Sequence, residues 1–251
     1  MTLPDRFAAI SDIHGNADAL DAVLADAGRL GIAAVVNLGD STGGPLWNAR
    51  TVETLRARAI PTVRGNHDRC VIDPPGGRHS RWDAWAHEEL TGERQQASRD
   101  WLAALPPVLA LGDVLLCHAT PGDDLTYWLH EAGRGRMIPR PLSAVEALAG
   151  PLGAALILCG HTHQQGAARL SDGRLVVNPG AVGSPAYADD LPEPHVSEAG
   201  TPDARYAVLT RGAAGWAVEF RLVPYDPAAA IARARARGAE DWVRPLALGR
   251  V

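Results

Sequence analysis

Two rhythms of apolar residues alternate along the first quarter of the chain. RFAAIS (6–11) and AAVVNLGD (33–40) are short, nearly unbroken apolar runs, which predict buried strands rather than helices. Between them, NADALDAVLADAGRLG (16–31) spaces its apolar residues three and four apart, predicting a helix that stops at Gly31. WNARTVETLRARA (47–59) predicts a second helix, and IPTVRG (60–65) a third strand. A β-α-β-α-β succession implies parallel strands covered by helices. Ligand-binding residues are then expected beyond the carboxyl ends of the strands.

The pattern changes after a Pro/Gly break at 73–79. Residues 80–105 read as mostly helical, and VLALGDVLLCH (108–118) as a hairpin turning at Gly112-Asp113. Residues 120–142 read as irregular. A short helix (142–150) and a strand (155–160) follow, then a hairpin (167–178) turning at Asp172-Gly173. A polar, Pro-rich stretch (188–203) reads as loop, 205–225 as a final hairpin, and the tail as one helix, PAAAIARARARG (227–238). No repeat and no composition break divides the chain, so one domain spanning 1–251 is expected. Parallel α/β in the first half and hairpins in the second suggest two packed mixed sheets with helices outside, an α/β/β/α sandwich.

Composition narrows the function. With 251 residues and 46% hydrophobic content, the chain can bury a sizeable core, yet it has no apolar run of membrane-crossing length. The N-terminus shows no signal-peptide pattern, and three cysteines without a CxxC suit a reducing compartment, so a cytoplasmic location is expected. A net charge of −5 argues against duplex nucleic acid as a partner. Every basic side chain is Arg, a bias that runs the whole length and fits codon usage in a GC-rich genome.

The candidate chemistry lies where the strands end. SDIHG supplies Asp12 and His14, LGD supplies Asp40, GNHD supplies Asn66, His67 and Asp68, LLCH supplies His118, and GHTH supplies His161 and His163. Residues two apart in extended backbone point the same way, so each D-x-H or H-x-H pair is expected to converge. Singly, each cluster has an ordinary explanation as a turn, a cap or a core histidine. Five of the nine histidines fall inside these motifs, however, which makes independent accidents a poor account.

Imidazole and carboxylate donors without thiolate suit manganese, iron, zinc, cobalt or nickel better than calcium. Asp12, His14, Asp40, Asn66, His118, His161 and His163 are enough for two ions, provided one Asp bridges them. Two dications set against two carboxylates and a bridging hydroxide leave a positive centre suited to a phosphoryl group. Such a pair clamps phosphoryl oxygens and yields a hydroxide that attacks phosphorus in line. His67 is left over as a non-ligand that either protonates the leaving oxygen or stabilises charge there, with Asp68 expected to orient it and raise its pKa. Arg134 and Arg136, in a Gly-rich stretch, either grip substrate phosphate or sit in a solvated loop.

These five blocks, in this order, resemble the calcineurin-like metallophosphoesterases. The resemblance implies one ion on Asp12, His14, Asp40 and His163, and another on Asp40, Asn66, His118 and His161. It also implies a double-sheet sandwich, with manganese the first metal to expect. GGPLWN (43–48), TPGDDLTYWL (120–129), NPGAVGSP (178–185) and VPYDPAAA (223–230) are similar to segments of a small bacterial branch, which extends the likeness over nearly the whole chain. Ala119 and Ala181 depart from that branch, as does the lack of an Arg just after Pro185. The expected activity is hydrolysis of a small phosphomonoester, phosphodiester or nucleotide. The rival is a non-catalytic interaction scaffold of the same fold, which would have no need of His67.

Overall fold

The computed structural model describes residues 2–251. β1 (Arg6–Ile10), α1 (Ala17–Arg29) and β2 (Val35–Asn37) form a β-α-β unit, with β1 and β2 parallel. Asn16 caps α1 by accepting the Ala19 N–H, and the helix buries Leu20, Val23, Leu24 and Ala27 at helical spacing. α2 (Asn48–Ala57) follows. The expected third strand shrinks to a single parallel bridge between Asn37 and Thr62. Pro61 has no N–H to give, and Arg64 donates its own to the Pro106 carbonyl instead of to a ladder. The chain then enters α3 (Asn66–Ile72), α4 (Arg81–Leu90) and α5 (Gln96–Ala103).

β3 (Val108–Leu111) and β4 (Val114–Cys117) form the expected hairpin. The stretch 120–142, expected to be irregular, contains a second hairpin, β5 (His130–Gly133) with β6 (Arg136–Pro139). After α6 (Leu142–Ala149) come β7 (Leu156–Leu158), β8 (Gln165–Arg169) and β9 (Leu175–Pro179). The polar segment expected as loop forms β10 (Ala186–Asp189) and β11 (His195–Glu198). β12 (Ala204–Gly212) and β13 (Gly215–Val223) are the long final hairpin. The tail holds α7 (Ala228–Ala236) and a further helix, α8 (Glu240–Leu248).

One sheet has the order β13-β12-β1-β2, and the second β3-β4-β7-β9-β8. Strand alternation builds the layers. On β1, Phe7 and Ala9 join Val114, Leu116, Leu158 and Val177 of the second sheet in the inter-sheet core. Ala8 and Ile10 face the opposite way, onto Leu20, Val23 and Leu24 of α1. On the second sheet, Ile157 and Val176 turn outward onto Val145 and Ala149 of α6. This is the α/β/β/α order. A small third sheet, β10-β11-β6-β5, stands apart from it. Among the described residues no helix is long and apolar enough to cross a membrane, and all three cysteines are free.

Candidate metal centre

The site is assembled from loops at one end of the two large sheets. Asp12 and His14 lie between β1 and α1, Asp40 follows β2, and Asn66 and His67 open α3. His118 follows β4, while His161 and His163 lie between β7 and β8. Backbone hydrogen bonds stitch these loops together: Asp12 N–H to the Gly39 carbonyl, His14 N–H to that of Asp40, Gly160 N–H to that of His118. The local backbone is not the extended chain expected for D-x-H and H-x-H. Asp12, His14, Asp40, His161 and His163 all have φ between 49° and 68°. Left-handed backbone is unfavourable for such residues and persists only where surroundings enforce it, as at functional sites.

Four imidazoles are fixed from behind. Nδ1 of His14 meets the Gly43 carbonyl at 3.0 Å, that of His118 the Leu38 carbonyl at 2.9 Å, and that of His163 the Ser184 carbonyl at 2.7 Å. His161 uses Nε2 on the Leu125 carbonyl, at 3.0 Å. Since a carbonyl only accepts, these bonds assign a ring proton to that nitrogen, and in the neutral ring the other nitrogen carries a lone pair. The Nε2 atoms of His14 and His163 then face each other at 3.2 Å as two lone pairs. That is repulsive unless a cation lies between them, so the donor set fits a metal ion.

The carboxylates complete two groups. His163 Nε2 is 3.6 Å from Asp12 Oδ1, and Asp12, His14 and His163 each bring a ligand atom within 4.8 Å of the others. Asp40, His118 and His161 do the same, and Asn66 Oδ1 is 3.0 Å from His118 Nε2. Asp40 lies between the groups. Its Oδ1 accepts the His67 N–H at 2.9 Å, so Oδ2 alone faces both sides, 3.7 Å from His14 and 3.3 Å from His118.

Burial holds the His161 imidazole down at about 3 and that of His163 at about 4, so both rings are neutral at pH 7. Burial likewise lowers His14. Burial opposes charge on His118 too, but the neighbouring Asp40 overrides it and lifts the imidazole to about 10, so a cation binding at Nε2 would have to displace a proton there.

His67 points at a different partner from the one its sequence neighbourhood suggests. Its Nδ1 donates to Asp83 Oδ1 at 2.7 Å, and its ring stacks on Trp82 with centroids 5.9 Å apart. Asp68 does not orient it. The Asp68 carboxylate is committed to the Thr42 N–H and Oγ1 and to the Ser41 and Gly65 N–H groups. It therefore braces the turn that presents Asp40. Burial disfavours a charged His67, yet Asp40 and the hydrogen-bonded Asp83 together raise it to about 9.

A family model for the calcineurin-like phosphoesterase superfamily domain matches residues 6–193. The chain belongs to that superfamily. Its fold is that of a metallophosphoesterase from Sphaerobacter thermophilus, with a TM-score of 0.74 and 28% identity, covering 97% of this chain and 99% of that one. A hypothetical protein from Pyrococcus horikoshii OT3 shares the fold equally well, with a TM-score of 0.74 and 22% identity over 97% of this chain and 98% of that one. An uncharacterized protein of Methanocaldococcus jannaschii is 43% identical over 65 residues, 26% of this chain and 27% of the relative. The match thus spans about a quarter of that curated relative's length.

The cluster opens into a cavity of about 860 Å³. His14, Asp40, Asn66, His67, His161 and His163 line it, whereas Asp12 and His118 are buried and do not. The small sheet and its flanking segments supply another part of the wall. Tyr127 packs on the His161 ring at 4.9 Å and Tyr187 on the His163 ring at 4.7 Å. The two hydroxyls are joined at 3.2 Å. Arg134 and Arg136 flank the exposed β5–β6 turn and do not line the cavity, but Arg140 does. Sequence reasoning missed Asp83, Trp82, Tyr187 and Arg140. Tyr127 stood within the TPGDDLTYWL likeness, but the others carried no motif.

Proposed function

We propose that this phosphoesterase hydrolyses small phosphoesters with two divalent metal ions. The reading rests on one observation: Asp40 Oδ2 lies between two groups of buried ligands, 3.7 Å from His14 and 3.3 Å from His118. Asp12, His14, Asp40 and His163 would hold one ion, and Asp40, Asn66, His118 and His161 the other. Manganese is the first choice, and iron, zinc, cobalt and nickel suit the same donors. Such ions supply Lewis acidity toward phosphoryl oxygens and acidify water.

The chain supplies the rest. Backbone carbonyls hold each imidazole in one tautomer with its lone pair inward. His67, protonated at neutral pH and held by Asp83, gives a proton to the departing ester oxygen from Nε2. The cavity accepts an organic group beside the phosphoryl. Retention of His67 with this orienting partner favours catalysis over a scaffold.

The test is turnover of bis-p-nitrophenyl phosphate with added Mn²⁺ and its arrest by chelator, with metal counted by mass spectrometry. His67→Ala is expected to keep the metal and lose turnover by about 10²-fold. No turnover with any transition metal would overturn the reading.

A further inference from the structure

Of the three arginines in the 130–140 hairpin, Arg140 is the one that lines the cavity. Its guanidinium is unusually free. Nε is buried without a hydrogen-bond partner among the described residues. Nη1 is 3.7 Å from Glu131 Oε2, beyond hydrogen-bond reach, and 22% of the side-chain surface stays exposed. Other partly buried arginines here are tied down. Arg205 binds the carbonyls of Thr201, Asp203 and Ala199, and Arg69 makes a two-point contact with Asp124. With Nε buried, the two terminal nitrogens of Arg140 are the pair of donors it can offer, a geometry that matches two oxygens of a phosphate.

Its place in the fold says which phosphate. The histidines and carboxylates that take the reacting phosphoryl group come from the loops of the two large sheets. Arg140 directly follows β6 of the separate small sheet, so it meets another part of the same ligand. The surface on offer around it is largely apolar: Tyr127, Tyr187, Leu125 and Leu191, the two leucines 59% and 73% exposed. The acidic groups on this wall are Glu131, already beside Arg140, and Asp189, whose carboxylate accepts the Leu191 N–H at 3.0 Å.

We propose that Arg140 seats a second phosphate group of the substrate, with the organic body of the ester lying across Tyr127, Tyr187 and Leu191. This names a substrate class, small phosphoesters bearing two phosphates, and rests on the phosphoesterase reading above.

The test uses adenosine 3′,5′-bisphosphate and adenosine 5′-monophosphate as probes. Their binding to the Mn²⁺-loaded protein is measured by calorimetry, and their competition by inhibition of bis-p-nitrophenyl phosphate turnover. The wild type is expected to prefer the bisphosphate. Arg140→Gln is expected to weaken the bisphosphate about tenfold and the monophosphate far less, as for loss of one charge-assisted contact. Arg140→Lys should restore part of the preference, which a folding defect would not allow. Arg134→Gln should leave it as in the wild type. Equal weakening of both probes, no preference in the wild type, or loss of the preference in Arg134→Gln would each overturn the assignment. Absence of turnover alone would count against the activity, while the calorimetry would still report on Arg140.

Discussion

Asp83 accepts the Nδ1–H of His67 at 2.7 Å, from a helix that begins only three residues earlier at the Ser80 cap. The pairing occupies Nδ1 and leaves His67 Nε2 as the nitrogen that could exchange a proton with a bound ligand. It also favours the imidazolium, since a carboxylate beside a histidine stabilises the charged form. Asp83→Asn should therefore retain metal but lower kcat by about tenfold or more, the scale of a misaligned proton donor. A general acid works while protonated, so activity declines as pH rises through its pKa. Without the Asp83 charge that pKa falls, and the basic limb of the kcat profile should move to lower pH. A limb that stays put would show that His67 is not the acid.

Gly65 is a glycine for a steric reason. A Cβ there would lie 2.1 Å from Asp40 Oδ1 and 2.3 Å from the Asp40 nitrogen, so the turn carrying Asp40 would have to move. Gly65→Ala should lower the metal content of the purified protein before it lowers the helical signal. Gly28 is the control, since nothing lies within 4 Å of its would-be Cβ inside α1. Gly28→Ala should raise stability by about 0.5–1 kcal/mol through helix propensity and leave metal content alone. Mass spectrometry for metal and thermal melts for stability read both variants, and full metal loading in Gly65→Ala would refute the steric account.

Far from the cavity, Asp26 holds α1 to the first sheet. Its Oδ2 accepts from the Tyr206 hydroxyl at 2.6 Å and from Arg221 at 3.2 Å, and its Oδ1 from Arg29 at 3.0 Å. Burial alone would raise its pKa, but these partners prevail and hold it below the usual carboxylate value. A depressed carboxylate stabilises the fold above the unfolded-state pKa, and that contribution is lost as pH falls through the folded value. Asp26→Asn should thus cost about 1–3 kcal/mol near pH 7. The difference from wild type should shrink as pH drops below about 4. Denaturant melts at several pH values would show this, and a gap that widens on acidification would contradict it.

What could be read from the sequence follows the strength of local signals. The α1 and β1 patterns are strong because each element buries a face in a single large core, so periodicity survives. His-x-His and Asp-x-His stand out because such residues are rare as mere turn formers. β5, β10 and β11 were unreadable for the opposite reason. HEAG, AYAD and HVSE are half-polar four-residue strands with no clean alternation; β5 pairs with the adjacent β6 and β10 with the adjacent β11, and only the pairing of Val196 with Arg136 across distant sequence joins the two hairpins into a sheet. α8 was hidden by Pro245, which reads as a breaker yet sits buried within the helix. Asp83 escaped because it looks like any first-turn helix carboxylate, and its tie to His67 exists only once α3 and α4 pack.

That overlooked helix carries a last prediction, because α8 reaches the back of the site. Trp242 is 98% buried, with its ring 4.7 Å from Trp82 and 6.2 Å from His14. Trp82 in turn stacks on His67. Trp242 also packs with Leu46, Ala230, Ala234 and Leu246 in the small core that joins the tail to the body. Trp242→Ala should cost about 3–5 kcal/mol through the cavity it leaves. It should also lower kcat, because Trp82 loses the surface that holds it flat against the imidazole. Trp242→Phe keeps an aromatic ring in the same slot and should recover most of both. Since bound metal resists unfolding, the stability difference is best read in chelator and the rate difference with Mn²⁺ in excess. A Trp242→Ala protein with wild-type stability and rate would mean that α8 merely rests on the surface.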